Sequence, residues 1–233
     1  IRCVVEAVQG RVPVIAGTGS NNTAHAVMMS KEAAALGADA LLLVTPYYNK
    51  TSQTGLVKSF FTIADSTNLP AIIYNVPSRT GMNIEPATVK KLAEHPLVCG
   101  IKEASGDMSY AMKIARCVGP DFALYSGNDD ITVPLMSIGG SGVISVYANV
   151  MPAMCHQIVD DYLHGRQDQA VANHLKYLQL MNDLFLEVNP IPIKTALNLA
   201  GYEVGSLRLP LCAMSDGHLE TLRRAMESAH LLQ

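Results

Sequence analysis

The sequence predicts an α/β fold of the (β/α)8 TIM-barrel class with a C-terminal helical appendage, here lacking the first two strands. Three observations lead there. A short apolar run, a polar or glycine-rich turn and an amphipathic helical stretch recur in that order through the first two-thirds of the chain, the apolar runs beginning 20 to 31 residues apart, as βα units do. The runs are apolar on both faces, as a parallel sheet covered on both sides requires. From Met151 onward strand signals vanish and three or four helical stretches follow.

Taken in order, Ile1, Val4, Val5 and Val8 form a helical stripe with no capping residue before it. Strands are expected at Val12–Gly17, Ala40–Pro46, Ala71–Val76, Val98–Ala104, Phe122–Gly127 and Gly142–Val146. A helix over Thr23–Leu36 stops at Gly37, where a C-terminal glycine can take the left-handed conformation. Another over Pro86–Glu94 opens with proline in its first turn. The glycine-rich stretch Ile138–Ile144 precedes the sixth strand instead of following it, so it reads as a tight helix-to-strand turn and not as a phosphate cradle. Residues 1–150 are expected to form the barrel part and residues 151–233 the helical region. Six strands are two short of a closed barrel, so a longer polypeptide is expected, with two further strands and a helix and a half upstream.

With 233 residues, 49% hydrophobic and 16% charged, the chain is large enough for a substantial core. A net charge of −3, with both signs mixed along the chain, gives no attraction for nucleic acid or an anionic membrane. No apolar stretch approaches the length of a membrane span. The five cysteines (Cys3, Cys99, Cys117, Cys155, Cys212) are odd in number and scattered, which suits reduced thiols and a cytoplasmic location. No cysteine or histidine pair has metal-ligand spacing, so no metal is expected.

The chemistry should lie at the C-terminal ends of the strands and in the loops after them. The fourth run, Gly100-Ile101-Lys102-Glu103-Ala104, places a lysine inside an apolar strand, which is costly unless that lysine is used or paired. Strand alternation puts Lys102 on one face with the small residues Gly100 and Ala104, and Ile101 and Glu103 on the other. Desolvation there would favour a neutral amine able to attack a carbonyl. A lysine snorkelling from a strand end fits the pattern equally well. The preceding run continues Tyr74-Asn75-Val76-Pro77-Ser78-Arg79-Thr80. Tyr74 could relay protons beside Lys102, or be a core tyrosine with a satisfied hydroxyl. Arg79 could clamp a carboxylate, or be solvated. The paired aromatics Tyr47 and Tyr48 after the second strand suit an interface.

Together these motifs resemble the pyruvate-dependent Schiff-base lyases, and within them the dihydrodipicolinate synthase family. Gly17-Thr18-Gly19, Pro46-Tyr47-Tyr48-Asn49-Lys50, Ser126-Gly127-Asn128-Asp129, Gly142-Val143-Ile144-Ser145-Val146 and Asn189-Pro190-Ile191-Pro192-Ile193-Lys194 extend the resemblance over the whole chain. It implies a lyase that condenses pyruvate with L-aspartate 4-semialdehyde in lysine and diaminopimelate biosynthesis. Lys102 would form the imine, with no cofactor. Tyr74 and Tyr48 would form the proton relay, Tyr48 from a neighbouring subunit, and Arg79 would bind the carboxylate of the aldehyde. The backbone around Gly127 and Ile144 would line the pocket, and the assembly would be a homotetramer of two tight dimers. The resemblance implies a polypeptide longer by about 60 residues, with a Gly-Thr-Thr-Gly-type loop, whose threonine links the relay tyrosines, in the upstream part. Two alternatives stand beside this reading. One is a sibling aldolase of the N-acetylneuraminate or hydroxy-oxoglutarate type, against which Arg79 argues. The other is an inactive binding or regulatory chain.

Asn21, His25 and Tyr47 match an allosteric lysine site, except that lysine-inhibited relatives carry glutamate where His25 stands. Losing a charge-assisted partner for a desolvated ammonium costs about 1.5 to 3 kcal/mol, or roughly tenfold to a hundredfold in affinity. Free lysine is therefore expected to inhibit weakly or not at all, and half-inhibition of turnover at low micromolar lysine would refute this.

Overall fold

The computed structural model describes residues 1–232 and divides the chain into two compact units. The first comprises Ile1–Gly127 and Ser137–Gly142, and the second Asn128–Met136 and everything from Val143 onward.

The first unit runs α1 (Arg2–Val8), β1 (Ile15–Gly17), α2 (Thr23–Ala35), β2 (Ala40–Val44), α3 (Gln53–Ala64), β3 (Ala71–Asn75), α4 (Pro77–Thr80), α5 (Pro86–Ala93), β4 (Val98–Glu103), α6 (Met108–Ile114) and β5 (Ala123–Ser126). A sixth strand, β6 (Gly142–Val143), starts at its last residue. The strands lie in sequence order, and β1 to β5 pair parallel, each with its successor. The Ser141 N–H donates to Leu124 O at 2.8 Å and brings in the segment leading to β6. A singly wound order of this kind, with helices between successive strands, is the barrel arrangement and not the doubly wound one.

The helix boundaries follow from local chemistry. The Asn22 side chain accepts the His25 N–H at 3.1 Å to start α2, and Gly37 takes φ 90° just beyond its C-terminal end. Ser52 caps α3 and Asp107 caps α6 in the same way, accepting the N–H groups of Gly55 and Tyr110. Buried Leu41, Leu43, Phe60, Ile73, Ile84, Leu92, Ile101, Ile114 and Leu124 form the core of this unit. Burying each such side chain contributes about 1.5–3 kcal/mol relative to exposure.

Two strands are shorter than the sequence suggests. β1 begins at Ile15, not Val12, because Pro13 has no N–H and the Val14 N–H donates to the Asp39 carboxylate at 2.7 Å. β6 ends at Val143, not Val146. The Val146 and Tyr147 N–H groups are taken by the buried Asp129 carboxylate at 3.1 and 3.0 Å, so they are not available to a strand ladder.

The second unit contains α7 (Thr132–Met136), α8 (Pro152–Leu163), α9 (Gln167–Asp183), α10 (Ile191–Leu199) and α11 (Asp216–Ser228). Its core gathers Tyr147, Ile158, Leu180, Leu184, Ile193, Leu222 and Met226. Arg166 holds the α8–α9 turn by ion pairs to Asp160 (2.6 Å) and Asp161 (2.5 Å).

Buried His174 on α9 accepts the Val133 N–H on Nδ1 at 3.3 Å, while its Nε2 lies 2.9 Å from the carbonyl of Asp130. That pairing assigns a neutral ring that donates from Nε2. Burial pushes its pKa below the usual histidine value, against the opposing pull of the Asp130 carbonyl and of the Asp129 and Asp130 charges. The unfolded chain therefore binds this proton first. The stabilisation from His174 is full above about pH 6.5 and is lost as pH falls through that value toward the folded pKa. Thermal melts at pH 7.5 and 5.5 should show the unsubstituted protein losing more stability across this window than His174→Gln does. Equal losses would contradict the assignment.

Candidate active site

Strands β3 and β4 pair with Tyr74 opposite Lys102, and β4 and β5 pair with Lys102 opposite Tyr125. Side chains level with one another on adjacent parallel strands share a face, so Lys102 stands between two tyrosines. Its Nζ lies 4.2 Å from the centroid of the Tyr74 ring. An ammonium in that position gains about 0.5–2 kcal/mol from the ring face, which offsets part of the entropy lost by ordering the side chain. Lys102 is half-buried, in the penultimate position of β4.

Room for this lysine depends on Gly127. A Cβ at that position would lie 2.5 Å from the Ala104 methyl group and 3.1 Å from Lys102 Cε. The Gly127 N–H donates to Glu103 O at 2.6 Å, which fixes the close approach. A larger residue would clash first with the Ala104 methyl group and would crowd Glu103 O and the lysine arm.

Tyr74 is half-buried, and desolvation raises the pKa of its phenol. The Arg79 charge opposes that rise and the Glu103 charge adds to it. A neutral phenol beside an amine can both donate and accept a proton, as formation and dehydration of a carbinolamine require.

Arg79 occupies α4, the single turn that follows β3 directly. Pro77 in the first turn pre-sets the helical φ. Thr80, buried beneath, accepts the Thr45 hydroxyl at 3.1 Å and the Met82 N–H at 3.3 Å. The turn is thereby pinned to the end of β2 while Arg79 stays on the exposed side.

The loop after β2 is organised around Tyr48, which has φ 66° and is 94% exposed. The Asn49 N–H donates across it to Tyr47 O at 2.9 Å, holding a bulky residue in a conformation that favours glycine. So exposed, the Tyr48 side chain is scarcely covered by its own chain. Asn49 Nδ2 donates to Asn21 O at 2.9 Å, so the structure brings the Asn21 and Tyr47 loops together. His25 lies in the first turn of α2, exposed, with Nδ1 3.3 Å from Ser20 Oγ. Ile144 follows β6 and belongs to the second compact unit.

Sequence reasoning missed two features. Tyr125 is level with Lys102 only through the β4–β5 register, which no local pattern reveals. Asn75 and Glu103, one residue beyond Tyr74 and Lys102, are buried together on the opposite face, with Asn75 Nδ2 donating to Glu103 Oε2 at 2.7 Å. Alternation gives the face of Glu103 but not its partner. Among the described residues no group of three histidine, cysteine or acidic side chains is placed to hold a metal ion, and no helix is long and apolar enough to cross a membrane.

Comparison with known proteins places the chain in a family. The family model described as "Dihydrodipicolinate synthetase family" matches residues 1–229. A 4-hydroxy-tetrahydrodipicolinate synthase from Thermoanaerobacter sp. (strain X514) is 54% identical over 234 aligned positions, covering 100% of this chain and 79% of the relative. The crystal structure of the Thermotoga maritima dihydrodipicolinate synthase superposes with a TM-score of 0.96 at 41% identity, covering 99% of this chain and 80% of that one. The enzyme from Cyanidioschyzon merolae, solved with lysine bound, gives 0.95 at 43% identity, covering 99% and 79%. The chain thus spans about four-fifths of the length of these relatives. With a strand-borne lysine set against a tyrosine ring, a glycine clearing its path, and sequence and backbone alike from end to end, this chain belongs to the dihydrodipicolinate synthetase family.

Proposed function

We propose that this chain is a Schiff-base lyase that condenses pyruvate with L-aspartate 4-semialdehyde to give 4-hydroxy-tetrahydrodipicolinate, for lysine and diaminopimelate biosynthesis. The observation that carries this reading is the placement of Lys102 Nζ 4.2 Å from the centre of the Tyr74 ring, on a strand whose end is cleared by Gly127.

In this mechanism the neutral Lys102 amine attacks C2 of pyruvate, and the carbinolamine loses its hydroxyl as water to give an imine. Tyr74, whose phenol burial keeps protonated, supplies the proton that lets the hydroxyl leave. Loss of a methyl proton converts the imine to an enamine, whose terminal carbon bonds to the aldehyde carbon of the second substrate. The amino group of that substrate then adds to the imine carbon and expels the Lys102 amine, closing the ring. Every atom of the covalent chemistry comes from the two substrates and Lys102, so no cofactor is needed. Arg79, one turn beyond β3, binds the carboxylate of the aldehyde substrate, where a planar guanidinium can engage both oxygens. Gly127, against the Lys102 arm, lines the pocket.

Tyr48 joins the relay of a neighbouring subunit. Its 94% exposure and left-handed backbone support that role, since an aromatic held outward against its conformational preference suits contact with another chain. The assembly is a homotetramer of two tight dimers, in the cytoplasm, where the five free cysteines would stay reduced. Asn21, Tyr47 and His25 form the counterpart of a regulatory site that lacks a carboxylate at His25.

Pyruvate with borohydride should label Lys102 covalently, since reduction traps the imine, and labelling that persists in Lys102→Ala would overturn the assignment. In the same assay Arg79→Ala should keep most of its imine trapping while the KM for the aldehyde rises about tenfold or more, the loss of a charge-assisted carboxylate contact. An equal loss in both would make Arg79 structural. Sedimentation velocity at micromolar concentration should give the mass of four chains. A monomer that turns over normally would exclude a shared tyrosine.

A further inference from the structure

We propose that Asn75 and Glu103 are a positioning pair for the reaction, setting Tyr74 level with Lys102 and tying both strands to the loops that follow them. The proposal rests on the function assigned above to Lys102 and Tyr74. It concerns residues to which that mechanism gives no part.

Asn75 and Glu103 follow the two reactive residues directly, pair with each other in the β3–β4 register, and point to the other face of the sheet. Their exposures are 0% and 1%. The Asn75 amide is fully used. Its two hydrogens go to Glu103 Oε2 and Asn83 Oδ1, both at 2.7 Å, and its oxygen accepts the Ile84 N–H at 3.1 Å. The other carboxylate oxygen of Glu103 accepts the Ser105 N–H at 2.5 Å. Backbone bonds complete the cluster: Ala104 N–H to Asn75 O at 2.9 Å, and Gly127 N–H to Glu103 O at 2.6 Å. One buried pair thus joins the end of β3, the segment beyond the Arg79 turn, the end of β4, and the glycine beside Lys102.

A carboxyl group buried among the Asn75 amide and the Ser105 N–H is an expensive way to hold a sheet together. Burial raises the pKa of Glu103, and its hydrogen bonds from Ser105 and Asn75 only partly offset this. An apolar pair of the same volume would serve packing better. A directional acceptor favours one register of these two strands, which an apolar pair would leave less defined. The Glu103 charge also acts on the Tyr74 phenol, so the pair influences the relay electrostatically as well as mechanically.

The hydrogen-bond polarity of the pair makes the idea testable by exchange. In Glu103→Gln the new NH2 group must face either the Asn75 NH2 or the Ser105 N–H, donor against donor. In Asn75→Asp two carboxyl groups meet across the strands. In the double variant Asn75→Asp with Glu103→Gln, the polarity is reversed but complete. The glutamine donates to the aspartate and accepts from Ser105, the aspartate still accepts from Ile84, and Asn83 turns its amide over.

The test measures kcat, both KM values, the pH profile and borohydride trapping in the whole enzyme and these three variants. Each single variant should lose about tenfold to a hundredfold in kcat with smaller changes in KM. The double variant should recover most of that loss. In Glu103→Gln the alkaline limb of kcat should move to lower pH, because a negative charge that raises the Tyr74 pKa is gone. It should return toward its original place in the double variant, where aspartate restores the charge. A single variant with unchanged kcat and pH profile would overturn the proposal. So would a double variant that regains a normal melting temperature but neither rate nor profile, since that result describes a purely structural pair. If either single variant fails to fold, the double variant alone decides by the same criteria. Failure of pyruvate and borohydride to label the unsubstituted enzyme would instead overturn the reading of Lys102 itself, and this proposal with it.

Discussion

Strands β3 and β4 run parallel with Tyr74 opposite Lys102 and Asn75 opposite Glu103, and side-chain alternation sends these two pairs to opposite faces of the sheet. The rest of the site depends on that register. A slip of one residue would send Lys102 into the apolar layer between sheet and helices and bring the Glu103 carboxylate to the reactive face. Main-chain bonds in a parallel ladder are evenly spaced and do not by themselves choose among registers. Side chains choose here. Ile73 and Ile101 are fully buried on the helix-covered face, and the Asn75–Glu103 hydrogen bond closes only when they are level.

The magnitudes show why polar groups occur in this core at all. Fully burying an isoleucine or leucine contributes about 1.5–3 kcal/mol, whereas a buried hydrogen bond contributes a net of about 0.5–1.5 kcal/mol. Polar pairs therefore add little stability, but breaking one costs the desolvation of the group left behind, about 1–3 kcal/mol. Apolar burial supplies the stability of the first unit, and its few polar anchors supply the direction. Thr80 under the Arg79 turn and Glu103 behind Lys102 are both of this kind. His174 has the same place in the second unit, where a neutral ring satisfies one N–H group and one carbonyl at the start of α7.

The conformation of Tyr48 follows a different logic. Its left-handed backbone, held by the Asn49-to-Tyr47 hydrogen bond, costs energy that its own side chain does not recover from its own chain at 94% exposure. Strain kept in that way is found where a side chain must be presented to something else. The same loop holds Asn21 through Asn49, so the position of Tyr48 and the geometry around Asn21 and Tyr47 are mechanically linked.

By itself the sequence determined the periodic order of strands and helices, the stop at Gly37, and the residues able to carry chemistry. Each of these is a local property: apolar periodicity, a glycine able to take the left-handed conformation, a lysine in an apolar strand. Alternation alone also separated Lys102 from Glu103. Tertiary structure decided what depends on distant partners. It ended β6 at Val143, because Asp129, 17 residues before Val146, takes that residue's N–H. It delayed β1 to Ile15 through a hydrogen bond from Val14 to Asp39. It placed Tyr125 beside Lys102, set Gly127 against Ala104 and the lysine arm, and gave Glu103 its partner in Asn75, 28 residues away along the chain. A local pattern can state which face a side chain occupies, but only the register between strands states what it meets there.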